Sequence, residues 1–360
     1  MTTEQIIDAL RIVQEPDLGS DIISLNMVKD VVIKNNDVSF TLVLTTPACP
    51  LKDMMRNACV DAIQTKVNKE AVVLVNFTSN TTSNRHDPKS VLPNVRNIIA
   101  VVSGKGGVGK STVASNLAIA LAQGGAKVGL MDADIYGPSV PIMFGVRGER
   151  PMMMDNGGKG MIVPLEKFGI KLMSIGLLVD EKNAVVWRGP MASSAIKQFV
   201  TDVNWGDLDY LVIDMPPGTG DIHLTLMQAV PVTGAIVVST PQEVALADAK
   251  KAIAMFAQMG AKVPIIGLVE NMSYFILPGT SSRHYIFGKD GGKNLAEEYE
   301  IPFLGQIPLD QEIREGGDSG IPIVASELAG REAYLDFAAN AVRSISMRNA
   351  NIRETEMQLS

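Results

Sequence analysis

One stretch of the sequence decides the fold: residues 98–112 read Ile-Ile-Ala-Val-Val-Ser-Gly-Lys-Gly-Gly-Val-Gly-Lys-Ser-Thr. Its first part, Ile98–Ser103, is a short β-branched run of the kind found in buried strands. Its second part, Gly104–Ser111, fits the pattern G-x-x-x-x-G-K-[ST], and the overlapping segment Lys110–Gln123 is predicted to be helical. Because glycines let backbone amides turn toward a phosphate, and a helix N-terminus adds positive charge, we predict a phosphate-binding loop here.

The residues of this loop have distinct expected roles. Lys110 is expected to reach the β- and γ-phosphates of a nucleotide, and the Ser111 hydroxyl to ligate Mg²⁺. The alternative is a glycine-rich turn without a ligand, which the presence of both pattern and strand–helix context disfavours. The predicted nucleotide-binding residues of the loop are Gly104, Lys105, Gly106, Gly107, Val108, Gly109, Lys110, Ser111 and Thr112.

The alternation of strand and helix continues through residues 97–345. Continuous apolar strands separated by helices are typical of a mainly parallel sheet that is covered on both faces. We therefore predict an α/β fold, a doubly wound P-loop NTPase sheet of about seven strands, with residues 144–168 as an insertion. The predicted strands are Ile98–Ser103, Lys127–Asp132, Lys171–Ile175, Asp209–Asp214, Ala235–Ser239, Pro264–Glu270 and Phe303–Ile307.

Residues 1–77 predict a separate, small α+β domain in front of this sheet. A polar stretch without periodicity falls within residues 78–96, which we predict to be a linker. Residues 346–360 lack a sustained apolar face and are predicted to be a frayed surface tail. The predicted elements of the small domain are strands at Val28–Ile33, Val38–Leu44 and Ala71–Phe77 and a helix at Leu51–Val67.

The composition excludes several classes of protein. The 360 residues are 46% hydrophobic, which is too many for a disordered chain. Lys+Arg 32 against Asp+Glu 39 gives a net charge of −7, so we expect no nucleic-acid partner. Two cysteines argue against a disulfide-stapled secreted protein. No apolar run approaches the ~18 residues of a membrane span and no signal peptide is visible, so we expect a cytoplasmic protein without a membrane partner.

Two acidic motifs follow predicted strands. Asp214 ends the run Asp209–Asp214, and a carboxylate at this edge of a parallel sheet can face the Mg²⁺ of a neighbouring phosphate loop. We predict that Asp214 acts on Mg²⁺ through water and that Pro217–Gly220 senses the γ-phosphate; strand capping by Asp214 is the alternative. Asp132 and Asp134 follow another strand, and one of them is expected to be structural, because residues two apart share a face only while a strand continues.

The remaining polar candidates carry weaker signals. Asn271 follows the strand Pro264–Val269, where its amide can offer adenine both a donor and an acceptor, or else form a turn. Asn116 is expected to be a packing or helix-surface residue. The histidines have no metal-ligand spacing, and each is expected to be structural or solvated. These histidines are His86, His223 and His284.

Together, the motifs resemble the Mrp/ApbC-type iron–sulfur cluster carrier ATPases, which belong to the ParA/MinD-like dimerising ATPases, over residues 1 to about 345. The resemblance implies an ATPase domain at 97–345 behind a small iron–sulfur-assembly domain. It also implies a homodimer, with client apo-proteins and an assembly scaffold as partners. The motifs are Glu15–Gly19, Thr46–Pro50, Gly104–Thr112, Asp132–Ser139, Trp187–Pro190, Ile213–Asp221, Ser239–Glu243, Glu270–Phe275 and His284–Gly288.

The resemblance also implies roles for individual residues. The extra loop lysine, here Lys105, crosses the dimer interface in such ATPases and stabilises phosphate charge on the partner's nucleotide. The second aspartate of the acidic motif, here Asp134, orients or deprotonates the attacking water, with Asp132 as its support. Asn271 occupies the position that recognises the base. The expected catalytic residues are therefore Lys105, Lys110 and Asp134.

The resemblance breaks at the iron–sulfur site. Family members carry a C-x-x-C by which two subunits hold one [4Fe–4S] cluster, but the corresponding stretch Ile276–Arg283 contains no cysteine. Cys49 remains a candidate cluster ligand, since a predicted helix N-terminus beside it can lower its pKa; core packing is the alternative. Cys59 falls on an apolar stripe and is expected to be buried. Either a cluster is held differently, or the protein delivers clusters without holding one there.

These observations predict a slow, Mg²⁺-dependent ATPase of iron–sulfur cluster assembly that binds clusters or transfers them to apo-proteins. Two alternatives stay open. One is a ParA/MinD-type partitioning or positioning switch, which needs a basic amphipathic tail. The other is a nucleotide-dependent scaffold that does not hydrolyse ATP.

Overall fold

The computed structural model describes residues 1–83, 91–179, 189–258, 263–277 and 279–359. The chain divides into two compact units, Met1–Asn84 with Ile345–Ser360 and Arg85–Ser344. Among the described helices, none is both long and apolar enough to cross a membrane.

The small unit packs two helices on a three-stranded sheet. Its elements are α1 Thr3–Leu10, β1 Gln14–Glu15, β2 Ser20–Asp21, β3 Val28–Lys34, β4 Asp37–Leu44, α2 Lys52–Lys66 and β5 Val72–Ser79. The sheet order is β3-β4-β5, with β3 antiparallel and β5 parallel to β4. Because side chains alternate along a strand, Val38, Phe40 and Leu42 of β4 all point into the core. Thr2 and Gln5 form a capping box that starts α1.

The large unit alternates strands and helices along the chain. Its first elements are β6 Val95–Val102, α3 Lys110–Gln123, β7 Val128–Asp132, α4 Val140–Met143, β8 Met152–Asn156, β9 Lys159–Val163, β10 Leu165–Lys167, β11 Ile170–Ser174, α5 Gly189–Thr201 and β12 Leu208–Asp214. The later ones are α6 Asp221–Ala229, β13 Gly234–Ser239, α7 Glu243–Gln258, β14 Ile265–Glu270, β15 Phe275–Ile276, β16 Arg283–His284, α8 Gly291–Glu298, β17 Phe303–Gln306, α9 Gln311–Ser319 and α10 Glu332–Leu359. Short 3₁₀ turns lie at Ile175–Leu177, Ile323–Ala325 and Ala329–Arg331.

An eight-stranded sheet forms the centre of the large unit, in the order β10-β11-β7-β12-β6-β13-β14-β17. Neighbouring strands run parallel except for the edge strand β10, which is antiparallel to β11. β6 is buried from Asn97 to Val102, as expected for a central strand covered on both faces. The predicted α/β class and the small domain in front of it are confirmed. The central sheet has one described strand more than predicted, the three-residue edge strand β10. This strand falls within the predicted insertion 144–168, which also holds the hairpin β8–β9.

Several carboxyl ends of strands meet at one edge of this sheet. Asp132 at the end of β7 lies in register with Asp214 at the end of β12, which in turn lies in register with Val101 of β6. β14 ends at Glu270, and the backbone N–H of Asn271 donates to the carbonyl of Ser239 at the end of β13. In open α/β sheets ligands bind outside this edge. The topology therefore gathers the phosphate loop, the acidic motifs and Asn271.

The predicted surface tail 346–360 requires a correction over its described part. It is the end of α10, and residues from Ile345 onward group with the small unit. Ser346 and Asn349 are buried, and the Asn349 amide donates to the Thr82 carbonyl at 3.0 Å. The buried side chains here are partly polar, which is why the sequence shows no apolar face.

Candidate functional site

The loop between β6 and α3 has the geometry that its glycines require. Gly107 and Gly109 have φ angles of +82° and +83°, in the left-handed region that L side chains rarely adopt. A Cβ at Gly109 would also overlap the side-chain amide of Asn271, and one at Gly104 would overlap the backbone of Asp248. The glycines therefore allow a close approach of neighbouring elements as well as the turn itself.

Lys110 lies in an acidic environment at the start of α3. It is 6% exposed, and its Nζ donates to Asp214 Oδ1 and lies 3.8 Å from Asp134 Oδ2. The Ser111 hydroxyl accepts from the same Nζ at 3.3 Å. The structure thus brings together four of the predicted site residues: Lys110, Ser111, Asp134 and Asp214. The lysine can bind phosphate oxygens, and the carboxylates can bind the cation that accompanies a polyphosphate.

Asp214 provides a specific test of whether Mg²⁺ fits. Its Oδ2 is buried without a hydrogen-bond partner among the described residues. A buried carboxylate oxygen is costly when unpaired, and Mg²⁺ binds oxygen ligands, often one or two carboxylates together with substrate phosphates and waters. The described residues hold no group of three or more His, Cys, Asp or Glu that could bind a metal alone. Asp214 and Ser111 therefore fit Mg²⁺ that is held jointly with a nucleotide.

Asp132 is enclosed by the strands and hydrogen-bonded on both oxygens. It is fully buried; its Oδ2 accepts from the Ser174 hydroxyl at 2.9 Å and its Oδ1 from the backbone N–H of Asp134 at 3.1 Å. Burial and the nearby Asp214 charge raise the pKa of Asp132 to about 8. Ser174, at the end of β11, is a site residue that our sequence analysis did not single out.

Asp134 lines a cavity at this edge of the sheet. Its side chain is 14% exposed, and burial raises the pKa of its carboxyl, with the Lys110 charge opposing that effect. The cavity has a volume of about 480 Å³ and is lined by Asp134, Tyr136, Pro217 and His223 among others. The carboxylate is thus held near Lys110 and still faces a space large enough for water.

Asn271 adjoins a second cavity, of about 330 Å³, beside the phosphate loop. Its Nδ2 donates to the Val108 carbonyl at 2.9 Å, so the residue also fixes the loop. Thr112 and Leu309 line the same cavity. Asn116, in contrast, is buried in packing: it donates to the Thr112 carbonyl and accepts from the backbone N–H of Val324.

The remaining predicted residues lie apart from this cluster or outside the described chain. The Lys105 side chain is exposed, and its backbone carbonyl accepts from the Ser103 hydroxyl. His284 is exposed on β16, His223 is buried in α6, and His86 falls outside the described residues. The motif Trp187–Pro190 begins outside them as well.

Both cysteines lie in the small unit. The pKa of Cys49 differs from the lowering that the sequence suggested. Burial raises the pKa of the Cys49 thiol, so the predicted lowering by a helix N-terminus is wrong: the loss of solvent outweighs the backbone hydrogen bond from Leu51. Cys59 is fully buried as predicted, and burial raises its pKa to about 12. Cys49 packs against the same core, which weakens its candidacy as a cluster ligand.

The phosphate loop, the buried lysine and the strand-end carboxylates define a nucleotide-binding P-loop NTPase. The chain belongs to the family described as NUBPL iron-transfer P-loop NTPases, whose model matches residues 94–343. Residues 3–77 match a model described as an iron-sulfur cluster assembly protein. The resemblance drawn from the motifs is thereby confirmed.

Individual proteins that are similar to this chain are consistent with this family. An iron-sulfur cluster carrier protein of Synechocystis is 48% identical over 351 residues, covering 96% of this chain and 99% of the relative. The nucleotide-binding protein of Archaeoglobus fulgidus, solved with ADP, is 42% identical with a TM-score of 0.56, covering 64% of this chain and 88% of that one. The septum site-determining protein MinD of Pyrococcus horikoshii, solved with Mg-ADP, is 26% identical with a TM-score of 0.50, covering 67% and 94%.

Proposed function

We propose that this protein binds and hydrolyses ATP and uses that cycle in the assembly or transfer of iron–sulfur clusters. The observation that carries the proposal is the juxtaposition of Lys110, Asp134 and Asp214 beside the phosphate loop. A strand-capping Asp214 does not explain why a buried lysine and a second carboxylate lie next to it. The naming of the Synechocystis relative as an iron-sulfur cluster carrier supports the cellular role.

In this proposal each side chain has one task at the phosphates. The backbone amides of the loop bind the phosphate oxygens, and Lys110 leaves its carboxylate partners to contact the β- and γ-phosphates. Mg²⁺, when bound through Ser111 and Asp214, neutralises charge that develops on the phosphates. Asp134 accepts a hydrogen bond from the attacking water and takes its proton while the water oxygen bonds to the γ-phosphorus. The bond from the γ-phosphorus to the β,γ-bridging oxygen breaks at the same time, and ADP leaves. Asp132 holds the Asp134 backbone in place.

The base and the second subunit complete the proposed nucleotide site. Adenine occupies the cavity beside Asn271, where the amide can exchange its contact with Val108 for one with the base. Lys105, whose side chain is exposed, reaches across to the nucleotide of a second copy of the chain. ATP therefore brings two chains together, and sedimentation of the Asp134→Asn variant with and without ATP tests this dimer.

The iron–sulfur cluster is cargo in this proposal. The hairpin β15–β16 lacks thiolates, and one Cys49 thiol per chain leaves a [4Fe–4S] cluster under-ligated. We infer that clusters pass through the protein with ligands supplied by a client or scaffold. The test is anaerobic reconstitution with iron and sulfide, on wild type and Cys49→Ala, followed by transfer to an apo-protein. Equal transfer by the two proteins supports external ligands, whereas loss of transfer in Cys49→Ala contradicts them.

A further inference from the structure

Tyr334 is a buried tyrosine to which the proposed function assigns no role. It lies in the first turn of α10 and is 0% exposed. Its hydroxyl has no hydrogen-bond partner among the residues that the structure describes. A buried tyrosine hydroxyl usually has a partner, because an unpaired polar atom has lost its hydrogen bonds to water without replacement. The unpaired hydroxyl therefore indicates a partner that the chain itself does not supply.

The Tyr334 hydroxyl is protonated and available as a donor. Burial raises the pKa of Tyr334 above the ordinary value of a tyrosine, and burial alone accounts for the change. The electrostatics of the group thus agree with its geometry, since neither a hydrogen bond nor a neighbouring charge among the described residues contributes to this pKa. The hydroxyl therefore keeps its proton at physiological pH and can donate it to an acceptor that a ligand brings.

Tyr334 lines the cavity of about 330 Å³ beside the phosphate loop, together with Asn271. Small-molecule sites are typically about 300–1,000 Å³ in volume, with mostly apolar walls and a few placed polar groups. This cavity has such walls, which include the side chains of Met272, Leu309 and Ile313. A flat, largely apolar group therefore fits the cavity, and a polar atom at its edge can meet the tyrosine hydroxyl.

The charged side chains of the cavity wall already have partners. Asp310 is the N-cap of α9, and its Oδ1 accepts from the backbone N–H of Glu312 at 2.7 Å. Arg314 donates to Asp318 at 2.9 Å. Because these charges are paired, the cavity favours a neutral group over a charged one. Adenine is neutral and aromatic, and its ring nitrogens accept hydrogen bonds.

We infer that Tyr334 is a further base-binding residue, whose hydroxyl donates to a ring nitrogen of adenine when a nucleotide fills this cavity. The inference rests on the proposed ATP site and adds a second polar contact to the one proposed for Asn271. The phosphate loop binds the phosphates, so the hydroxyl increases the affinity for the base and not the affinity for the phosphates. In the nucleotide-free protein the hydroxyl has no partner among the described residues, so its removal costs no hydrogen bond there.

The test compares Tyr334→Phe with Tyr274→Phe, which removes the same atom from a buried tyrosine that lines a different cavity. Calorimetric titrations measure the affinity of each protein for Mg-ADP and for magnesium pyrophosphate, which has phosphates but no base. We expect Tyr334→Phe to bind Mg-ADP about 10-fold more weakly, the effect of one hydrogen bond, and pyrophosphate within twofold of wild type. Tyr274→Phe should match wild type with both ligands. An unchanged affinity for Mg-ADP in Tyr334→Phe, or an equal loss for pyrophosphate, overturns the inference.

The melting temperature gives a second readout, which a purely structural role would move in the opposite direction. Without nucleotide, Tyr334→Phe should melt at or above the wild-type temperature, since phenylalanine removes an unpaired polar atom. With Mg-ADP at one fixed concentration, its melting temperature should rise less than that of wild type, because the stabilisation falls as the affinity falls. A nucleotide-free variant that melts below wild type shows a partner within the chain and overturns the inference. If Mg-ADP does not bind to wild type, the proposed ATP site itself fails, whereas normal binding by wild type with an unchanged variant contradicts only the role of Tyr334.

Discussion

Two regions of the large unit, the edge of the sheet that carries the phosphate loop and the hairpin that follows β14, differ in whether the residues expected for their chemistry are present. The edge with the phosphate loop keeps its glycines, the buried Lys110 and the paired carboxylates, all within one chain. The hairpin β15–β16 keeps its backbone pairing, from Phe275 to His284, but has no cysteine. The nucleotide site is built from backbone amides and buried side chains. The hairpin instead exposes Leu277 and Thr280, neither of which can replace a thiolate as an iron ligand.

The largest expected effect is on the phosphate edge, from Asp134→Asn. The amide cannot take a proton from water, so kcat should fall by about 10²–10⁴-fold, the usual contribution of a general base. ADP affinity should stay within a fewfold, since Asp134 is not part of the phosphate-binding loop. Phosphate release and ADP titration measure the two quantities. A variant that turns over ATP at the wild-type rate removes Asp134 from the mechanism.

The raised pKa of Asp134 predicts how the rate of ATP hydrolysis depends on pH. Because burial raises the pKa, the carboxylate takes up a proton at a higher pH than an ordinary aspartate, and the rate should decline on acidification while the protein is still folded. The control is the far-ultraviolet circular dichroism spectrum at each pH. A rate that is flat down to the ordinary range of aspartate contradicts a role for Asp134 as the base.

The explanation that the hairpin lacks cluster ligands can be tested by introducing a C-x-x-C into it. The Thr280 hydroxyl and backbone N–H both bond to the Leu277 carbonyl, at 2.9 and 3.1 Å, so these positions sit at either end of one turn. We expect the double variant Leu277→Cys, Thr280→Cys to take up about four iron atoms per dimer on anaerobic reconstitution, since two chains then supply four thiolates. Iron analysis and the visible absorption spectrum measure the gain.

The matched control for this gain introduces half as many thiols at the same turn. Thr280→Cys alone supplies two thiolates per dimer and should bind no stable [4Fe–4S] cluster. If the single variant takes up as much iron as the double one, or if the wild type takes up a full cluster, then missing ligands do not explain the difference between the two regions.

Ser174→Ala should have a smaller effect, because it acts on Asp134 only through Asp132. Loss of the hydroxyl that donates to Asp132 Oδ2 loosens the backbone of Asp134, and we expect kcat to fall about 10-fold, in line with ~1–1.5 kcal/mol for one hydrogen bond. ATP affinity should remain unchanged. Ser174→Thr, which keeps the hydroxyl, should restore most of the rate, and equal loss in both variants points to packing instead.

The last expected effect is on stability and leaves the rate unaddressed. Burial and the nearby Asp214 charge raise the pKa of Asp132 to about 8 in the folded chain against 3.8 for an ordinary aspartate, so the folded state holds the extra proton between these values. Stability from this group should therefore fall as pH rises through this window. Asp132→Asn should flatten the pH dependence of the melting temperature, measured without nucleotide, whereas Asp61→Asn at an exposed position should leave it unchanged.

The parts of the site that could be predicted from the sequence are those that are contiguous along it. The phosphate loop and Asp214, at the end of its strand, can each be identified from a pattern of a few consecutive residues. Ser174 lies 42 residues from Asp132 and meets it only because β11 pairs with β7.

Two wrong expectations share a physical cause. A helix start was expected to lower the pKa of the Cys49 thiol, with core packing as the alternative, and the end of α10 was expected to be a surface tail. In both cases burial decides the outcome, and burial depends on tertiary packing that local sequence does not encode. Cys49 joins the core of the small unit, and the polar Asn349 is buried with a hydrogen bond to Thr82.

In the proposed function, a dimer of this chain hydrolyses ATP without a resident iron–sulfur cluster. The most direct measurement is phosphate release from Mg-ATP by iron-free protein, over a range of protein concentrations, beside the Lys110→Ala variant. We predict saturable release that is lost in the variant and that rises more steeply than protein concentration, because Lys105 acts across a dimer. No release by the wild type, or equal release by Lys110→Ala, would contradict the claim.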